Sequence, residues 1–308
     1  MMTIIDAHCD TLSLLKTPEQ FISGETNVTL EKLQAGGVRL QCLAAFTSST
    51  HHPDPTIQGF QLISMFNNIV NQSQQMIAVR TNEDLQKALS GEKMGLLLTV
   101  EGGELLLRST SMLQILCALG VKMMSLSWNN DNPLCGGAGG ENKGLTLLGK
   151  ETIRQMEQLK ILPDVSHASE KTFWDIAETI PTVIAASHSN AYGVCSSKRN
   201  LKDDQILEIA RRSGCIGICF YNAFLSEAPD PSLKDILKHI EYIAALAGCN
   251  CIGLGTDFDG ADNLIPSEVR DASLLQAIPE ALARLNYTQE QIERICWKNW
   301  ADTFSQVL

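Results

Sequence analysis

The segment Thr3-Ile4-Ile5-Asp6-Ala7-His8-Cys9-Asp10 ends a β-branched run in Asp-x-His-x-Asp. Alternation along a strand sets Asp6, His8 and Asp10 on one face and Ala7 and Cys9 on the other. An imidazole and a carboxylate two residues apart on one face form a two-point clamp for a metal ion. Further ionisable residues follow directly on later apolar runs. They are Glu101 in Thr99-Val-Glu-Gly-Gly103, His167 in Asp164-Val-Ser-His167, His188 in Ala186-Ser-His-Ser189 and Asp257 in Gly253-Leu-Gly-Thr-Asp-Phe-Asp-Gly260. A buried ionisable group is costly without a partner. Of the six histidines, three sit at these run ends, whereas His51, His52 and His239 do not. Imidazole and carboxylate donors without thiolate suit Zn2+ or a similar first-row ion. Asp10, Glu101 and Asp257 bring three negative charges; two divalent ions leave one positive charge, which a bridging hydroxide cancels. That balance favours two metals with Glu101 bridging them, a pair that activates water and polarises a carbonyl. Asp6 reads either as a partner of His8 or as a plain strand-end residue.

These residues need a scaffold that gathers the ends of distant runs. Eight apolar runs alternate with amphipathic stretches, at residues 3–6, 38–46, 95–101, 121–128, 161–167, 182–188, 215–220 and 251–257. Several are apolar on consecutive positions, as parallel strands covered on both sides require. Helical spacing occupies residues 59–76, 82–89, 109–119, 147–159, 169–179, 203–212, 233–247, 267–285 and 288–297. Eight strand–helix units in 308 residues fit an α/β fold, a single-domain (β/α)8 TIM barrel over residues 1–308 with extra helices at its C-terminal end. A doubly wound sheet would not bring the first, third, fifth, sixth and eighth runs to one point; the mouth of a barrel does.

Composition narrows the partners. Hydrophobic residues make up 44% of the chain and charged residues 19%, as in a globular enzyme. A net charge of -11 argues against nucleic acid and against an anionic membrane surface. The ten cysteines include no C-x-x-C pair and lie mostly inside apolar runs, which reads as buried free thiols in a reducing, cytoplasmic setting. The first run begins at Thr3, leaving no room for a signal-peptide core, and no apolar run reaches membrane-span length. A barrel exterior also admits a homodimer.

The motifs Asp6-Ala-His-Cys-Asp10, Val100-Glu-Gly-Gly-Glu104, Asp164-Val-Ser-His167, Ser187-His-Ser-Asn190, Lys198-Arg-Asn200 and Gly255-Thr-Asp-Phe-Asp-Gly260 occur in this order across nearly the whole chain. As an ordered set they resemble the membrane (renal) dipeptidase family, zinc peptidases of the amidohydrolase-like barrels. The resemblance implies that His8, Asp10 and Glu101 hold one zinc, and Glu101, His167 and His188 the other. It implies that Asp257 is the acid/base group and that Arg199 binds the free carboxylate of a dipeptide substrate. A guanidinium fork suits that task better than an ammonium. It further implies attack by a metal-bridging hydroxide and turnover of L,D-dipeptides among other substrates. Asp257 also has the chemistry of a metal ligand. A different metal-dependent amide hydrolase, acting on an N-acyl amino acid or a lactam, and a catalytically silent metal- or peptide-binding barrel are the alternatives.

One position departs from the family. Animal members carry a substrate-contacting His after the fourth strand, where this chain has Trp128 in Leu126-Ser-Trp-Asn-Asn130. Trp128 serves there as an N–H donor or as pocket wall, or Asn129 donates instead, or the metals suffice without such a donor. The glycine-rich stretch Cys135-Gly-Gly-Ala-Gly-Gly140 fits no phosphate-loop pattern and reads as a mobile flap or a long structural loop. Phe220-Tyr-Asn-Ala-Phe-Leu225 is a candidate apolar pocket wall. The pairs Ser166-His167 and Ser187-His188 suggest no serine nucleophile, since strand neighbours point to opposite faces.

Overall fold

In this computed structural model, which describes residues 1–261 and 264–308, eight parallel strands follow in chain order. They are β1 (Ile4–Asp6), β2 (Val38–Phe46), β3 (Met76–Ala78), β4 (Met94–Glu101), β5 (Val121–Ser125), β6 (Leu162–Asp164), β7 (Ile216–Ile218) and β8 (Ile252–Leu254). The longest, β2 and β4, are apolar on nearly consecutive residues because both of their faces are covered. They pair over seven rows, from Leu40 opposite Gly95 to Phe46 opposite Glu101. The sheet runs β6-β5-β4-β2-β1-β8-β7, with β3 attached to β4 off this path.

The circle closes through residues 183–187, which bridge β6 and β7. Ala185 N–H donates to the carbonyl of Pro163 and Val165 N–H to that of Ala185; Ala186 N–H donates to Cys215 and Gly217 N–H to Ala186. The sixth stave is therefore a pair of isolated bridges, Asp164 with Ala185 and Ala186 with Ile216, and not the strand expected over residues 182–188. Side chains replace the ladder there. Ser187 N–H donates to Asp164 Oδ1 at 2.9 Å and His188 N–H to Ser166 Oγ at 3.1 Å. With this stave counted and β3 set aside, the molecule is a (β/α)8 barrel.

Helices follow the staves as the periodicity requires, and Leu233–Ala247 spans the residues expected of it. Thr29, Thr81, Thr146 and Ser169 each accept a backbone N–H at a helix start. Three expectations change. The strand β3 and the helix Pro55–Gln72 replace a single helix over residues 59–76. Residues 267–285 are not one helix but two 3-10 turns, Ser267–Val269 and Ala272–Leu274, followed by Ala277–Arg284. Asp271 accepts Ser273 N–H at 3.0 Å, a local bond that competes with the helix. The last segment passes from Gln289–Glu293 through a π-turn, Arg294–Lys298, into Asn299–Ser305.

That final helix plugs the floor of the barrel. Trp300 and Phe304 pack among Ile5, Leu40, Leu97, Met123 and Leu162 from the strands and Cys215 just before β7. Trp300 Nε1 donates to the Leu254 carbonyl at 3.0 Å, and Asn299 Nδ2 to that of Ile252 at 2.8 Å. Gly253 must lack a Cβ because the Trp300 indole occupies that space. The larger core lies between the sheet and the surrounding helices. All ten cysteines are free, eight of them buried. No helix among the described residues is long and apolar enough to cross a membrane.

Candidate metal centre

The opposite end of the barrel gathers the ionisable residues. Glu101 ends β4, and its two oxygens face different histidines. Its Oε1 lies 2.6 Å from His167 Nε2 and 3.6 Å from His188 Nε2, whereas Oε2 lies 3.7 Å from His8 Nε2. His8 Nε2 is also 3.4 Å from Asp10 Oδ2 and 3.7 Å from Asp257 Oδ1. The His8 and His188 rings stack with centroids 3.8 Å apart. Candidate ligand atoms of His8, Glu101 and His188 lie within 4.8 Å of one another, as do those of His8, Asp10 and Asp257. All six residues are buried.

The orientation of two imidazoles is fixed from behind. Ser187 Oγ is 2.5 Å from Asp164 Oδ2, so it donates to that carboxylate and accepts from His188 Nδ1 at 2.7 Å. His167 Nδ1 is held at 3.0 Å by Asn129 Oδ1. Both Nε2 atoms are thereby left as lone pairs, 2.8 Å apart. Two facing lone pairs repel unless a proton or cation lies between them and Glu101. This pattern, with an outer hydrogen bond setting the tautomer, is typical of metal-binding histidines. Asn129 thus holds the His167 imidazole through its amide oxygen and also lines the cavity. Ser187 and His188 do meet, contrary to the strand-alternation reading, because this stave is not a regular strand. Ser187 is fully buried and committed to Asp164, so it offers no nucleophile.

Electrostatics mark the same place. Burial drives Glu101 well above the usual carboxylate range, and Asp10 adds to the effect. Burial opposes charge on His8, yet Glu101, Asp10 and Asp257 together push it up to about 10. Burial lowers His167 and His188 far below the ordinary imidazole value, helped by Arg199 and by His8. Burial raises Asp257 to about 6, against the pull of His8. His8 Nε2 and Asp10 Oδ1 are buried without a hydrogen-bond partner among the described residues. The carboxylates crowded on His8 draw positive charge into the centre of the donor set, and hard-to-borderline divalent ions match its N/O chemistry.

Asp6 does not reach the His8 ring. It accepts from Thr256 N–H at 2.9 Å, Thr256 Oγ1 at 2.8 Å, Gln41 Nε2 at 2.9 Å and His8 N–H at 3.4 Å, tying β1 to β2 and to the loop after β8. Cys9 points away from the cluster, with Sγ toward the Cys42 carbonyl. Asp257 has a left-handed backbone at φ 62°, a conformation aspartate tolerates better than most residues. A Cβ at Gly260 would collide with the Asp10 and Asp257 carboxylates.

Above the cluster lies a cavity of about 520 Å³ walled by Asp10, Glu101, Trp128, His167, Tyr221 and Asp257, with Phe46, His51 and Phe224 at its sides. Of the expected apolar wall 220–225, only Tyr221 and Phe224 face this space; Phe220 and Leu225 turn into the core. His51, which its position in the sequence gave no reason to include, enters from the loop after β2. Arg199 lines an adjoining cavity of about 290 Å³ and meets the central one through its contacts. Its Nη2 lies 3.3 Å from His167 Nε2 and 3.2 Å from the His188 carbonyl, and its guanidinium sits 5.4 Å from the Phe224 ring centre. Its Nε and Nη1 are buried without partners among the described residues. The glycine-rich loop is no free flap: Ala138 N–H donates to the His167 carbonyl at 2.9 Å, Ser169 N–H donates to that of Gly136, and Leu134 and Cys135 are buried.

A sequence profile described as membrane dipeptidase, peptidase family M19, matches residues 1–307. An uncharacterized protein in the pqqA 5′ region of Klebsiella pneumoniae is 34% identical over 206 residues, covering 63% of this chain and 75% of that protein. Among solved structures, a metallopeptidase named dipeptidase AC superposes with TM-score 0.92 at 23% identity, over 99% of this chain and 98% of the other. A metallopeptidase from Rhodobacter sphaeroides, liganded with a phosphinate mimic of L-Ala-D-Ala, gives TM-score 0.92 at 22% identity, over 100% and 99%. The probable dipeptidase PvdM from Pseudomonas aeruginosa gives 0.89 at 18%, over 99% and 95%. At these identities the structures establish a shared fold.

Proposed function

The chain belongs to the membrane dipeptidase family, peptidase family M19, and on that premise we propose that residues 1–308 form one metallohydrolase domain that cleaves dipeptides with a free C-terminal carboxylate. The observation that carries this reading is the split of Glu101, one oxygen toward His167 and His188 and the other toward His8. Such a carboxylate suits a bridge between two ions of the zinc type, with His8 and Asp10 on one side and His167 and His188 on the other. When bound, such ions supply an acidified water and a Lewis acid for the scissile carbonyl.

The remaining work belongs to the chain. Asp164, through Ser187, holds the His188 ring in the tautomer whose Nε2 faces Glu101, and Asn129 does the same for His167. Asp257 stands at the cavity floor beside His8; as acid/base it takes the proton of the attacking water and returns it to the leaving nitrogen. Arg199 is a buried cation with two nitrogens that find no partner among the described residues, and a substrate carboxylate satisfies them with fork geometry. Trp128 borders the substrate as wall. The Rhodobacter relative's bound dipeptide mimic carries a D-residue, which supports including L,D-dipeptides among the substrates.

The test pairs metal content with turnover. Close to two metals per chain is expected, together with hydrolysis of L,L- and L,D-dipeptides in preference to N-acyl amino acids. A single metal, unchanged by Glu101→Gln, removes the bridging role; preferential cleavage of N-acyl amino acids replaces the dipeptidase reading.

A further inference from the structure

The stave order places two aromatic groups on opposite sides of the cavity. Around the ring, β2 lies across from the closing stave and β7. Arg199 and Phe224 belong to the loops after the closing stave and β7. Phe46 and His51 belong to the end of β2 and the loop after it, and Trp128 joins them from the loop after β5. A dipeptide whose carboxylate is held by Arg199 must extend its N-terminal residue away from that side, toward Phe46, His51 and Trp128.

These three rings form one edge-to-face box. The His51 and Trp128 centroids are 4.6 Å apart at 84°, those of Phe46 and Trp128 5.7 Å at 66°, and those of Phe46 and His51 5.5 Å at 68°. Hydrogen bonds set the His51 ring: Nδ1 lies 3.0 Å from Thr50 Oγ1 and 3.4 Å from Ser48 Oγ. Asn130 Nδ2 reaches Thr50 Oγ1 at 3.2 Å and so ties the β2 loop to the Trp128 loop. None of the three rings carries a carboxylate or an ammonium. Preset aromatic edges reward a large planar or apolar partner, and a cavity of about 520 Å³ leaves room for one.

We propose that Phe46, His51 and Trp128 form the specificity subsite for the N-terminal side chain, and that the favoured substrates carry a large apolar, preferably aromatic, residue there. This rests on the dipeptidase reading and on Arg199 as its carboxylate anchor.

The experiment measures kcat/KM for Gly-, Ala-, Leu- and Phe-Ala, each with L- or D-Ala, and for Ala-Gly and Ala-Phe. It uses the metal-loaded wild type, His51→Ala and Phe46→Ala. The wild type should prefer Phe-Ala over Gly-Ala by roughly tenfold or more. That ratio should collapse several-fold in both variants, while the ratio of Ala-Phe to Ala-Gly moves less than about twofold. His51 is exposed, so its variant is expected to fold. A flat wild-type preference, a ratio unchanged in both variants, or a shift confined to the C-terminal residue overturns the subsite and leaves the dipeptidase reading standing. No turnover of any dipeptide overturns the reading itself, and the subsite with it.

Discussion

Two buried aspartates, Asp6 and Asp164, each accept four hydrogen bonds, yet they serve different halves of the barrel. Asp6 sits where the ladder is regular. Its donors come from Gln41, Thr256 and the His8 backbone, and none of them is an imidazole ring. Asp164 sits where the ladder thins to single bridges. It accepts from the backbone and hydroxyl groups of both Ser166 and Ser187, and Ser187 passes the constraint on to the His188 ring. The same residue type therefore holds strands together on one side and sets an imidazole's tautomer on the other. Where backbone pairing is sparse, side-chain hydrogen bonds supply both closure and orientation.

Replacing each aspartate by asparagine separates the two roles most sharply. In Asp164→Asn an amide N–H meets Ser187 Oγ, turns the hydroxyl toward His188 Nδ1 and places the ring proton on Nε2. Turnover and metal affinity should fall about 10- to 100-fold or more. Asp6→Asn should instead cost about 1–3 kcal/mol of stability with a smaller effect on turnover. Denaturant melts and kcat/KM on both variants decide; matching profiles break the contrast.

Acid provides the next test, again on the sparse side. His239 is buried, accepts Ala191 N–H at Nδ1 and donates from Nε2 to the Leu225 carbonyl, bracing the loops after the closing stave and β7. Burial lowers it to about 4 from an ordinary value of 6.5. Folding thus favours its neutral form. Its contribution is complete above pH 6.5 and is lost as pH falls toward 4, by on the order of 3 kcal/mol at most. Hydrogen exchange around Ala191 should accelerate over that window before exchange in β2 and β4 does, and His239→Gln should flatten the dependence. Simultaneous loosening of both halves would contradict it.

Ser187→Ala removes the acceptor of His188 Nδ1 while sparing Asp164, and a loss of about tenfold in metal affinity is expected from titration of the apoprotein. Smallest of all, Gln41→Met deletes one donor to Asp6, and a melt should register about 1 kcal/mol with turnover nearly unchanged. A larger catalytic than thermodynamic effect there would blur the division.

His8, Asp10, Glu101, His167, His188 and Asp257 were legible because each ionisable group follows an apolar run, where only a site or an ion pair repays burial. The barrel was legible from the same runs. Asp164 was visible in its motif, but its task was not, because four donors from two separate segments converge on it only after folding. His51 gave no local signal: its loop enters the mouth through the placement of β2 opposite β7. The stave at residues 183–187 has the composition of a strand, and only the competing acceptors Asp164 and Ser166 interrupt its pairing. The break at Asp271 is likewise an Asx turn hidden within an otherwise periodic stretch.

The plug formed by Trp300 and Phe304 bears on how the chain matures. The first strand leaves the ribosome long before the helix that fills the ring beneath it. A nascent chain therefore carries an unfinished apolar throat until that helix has emerged and docked.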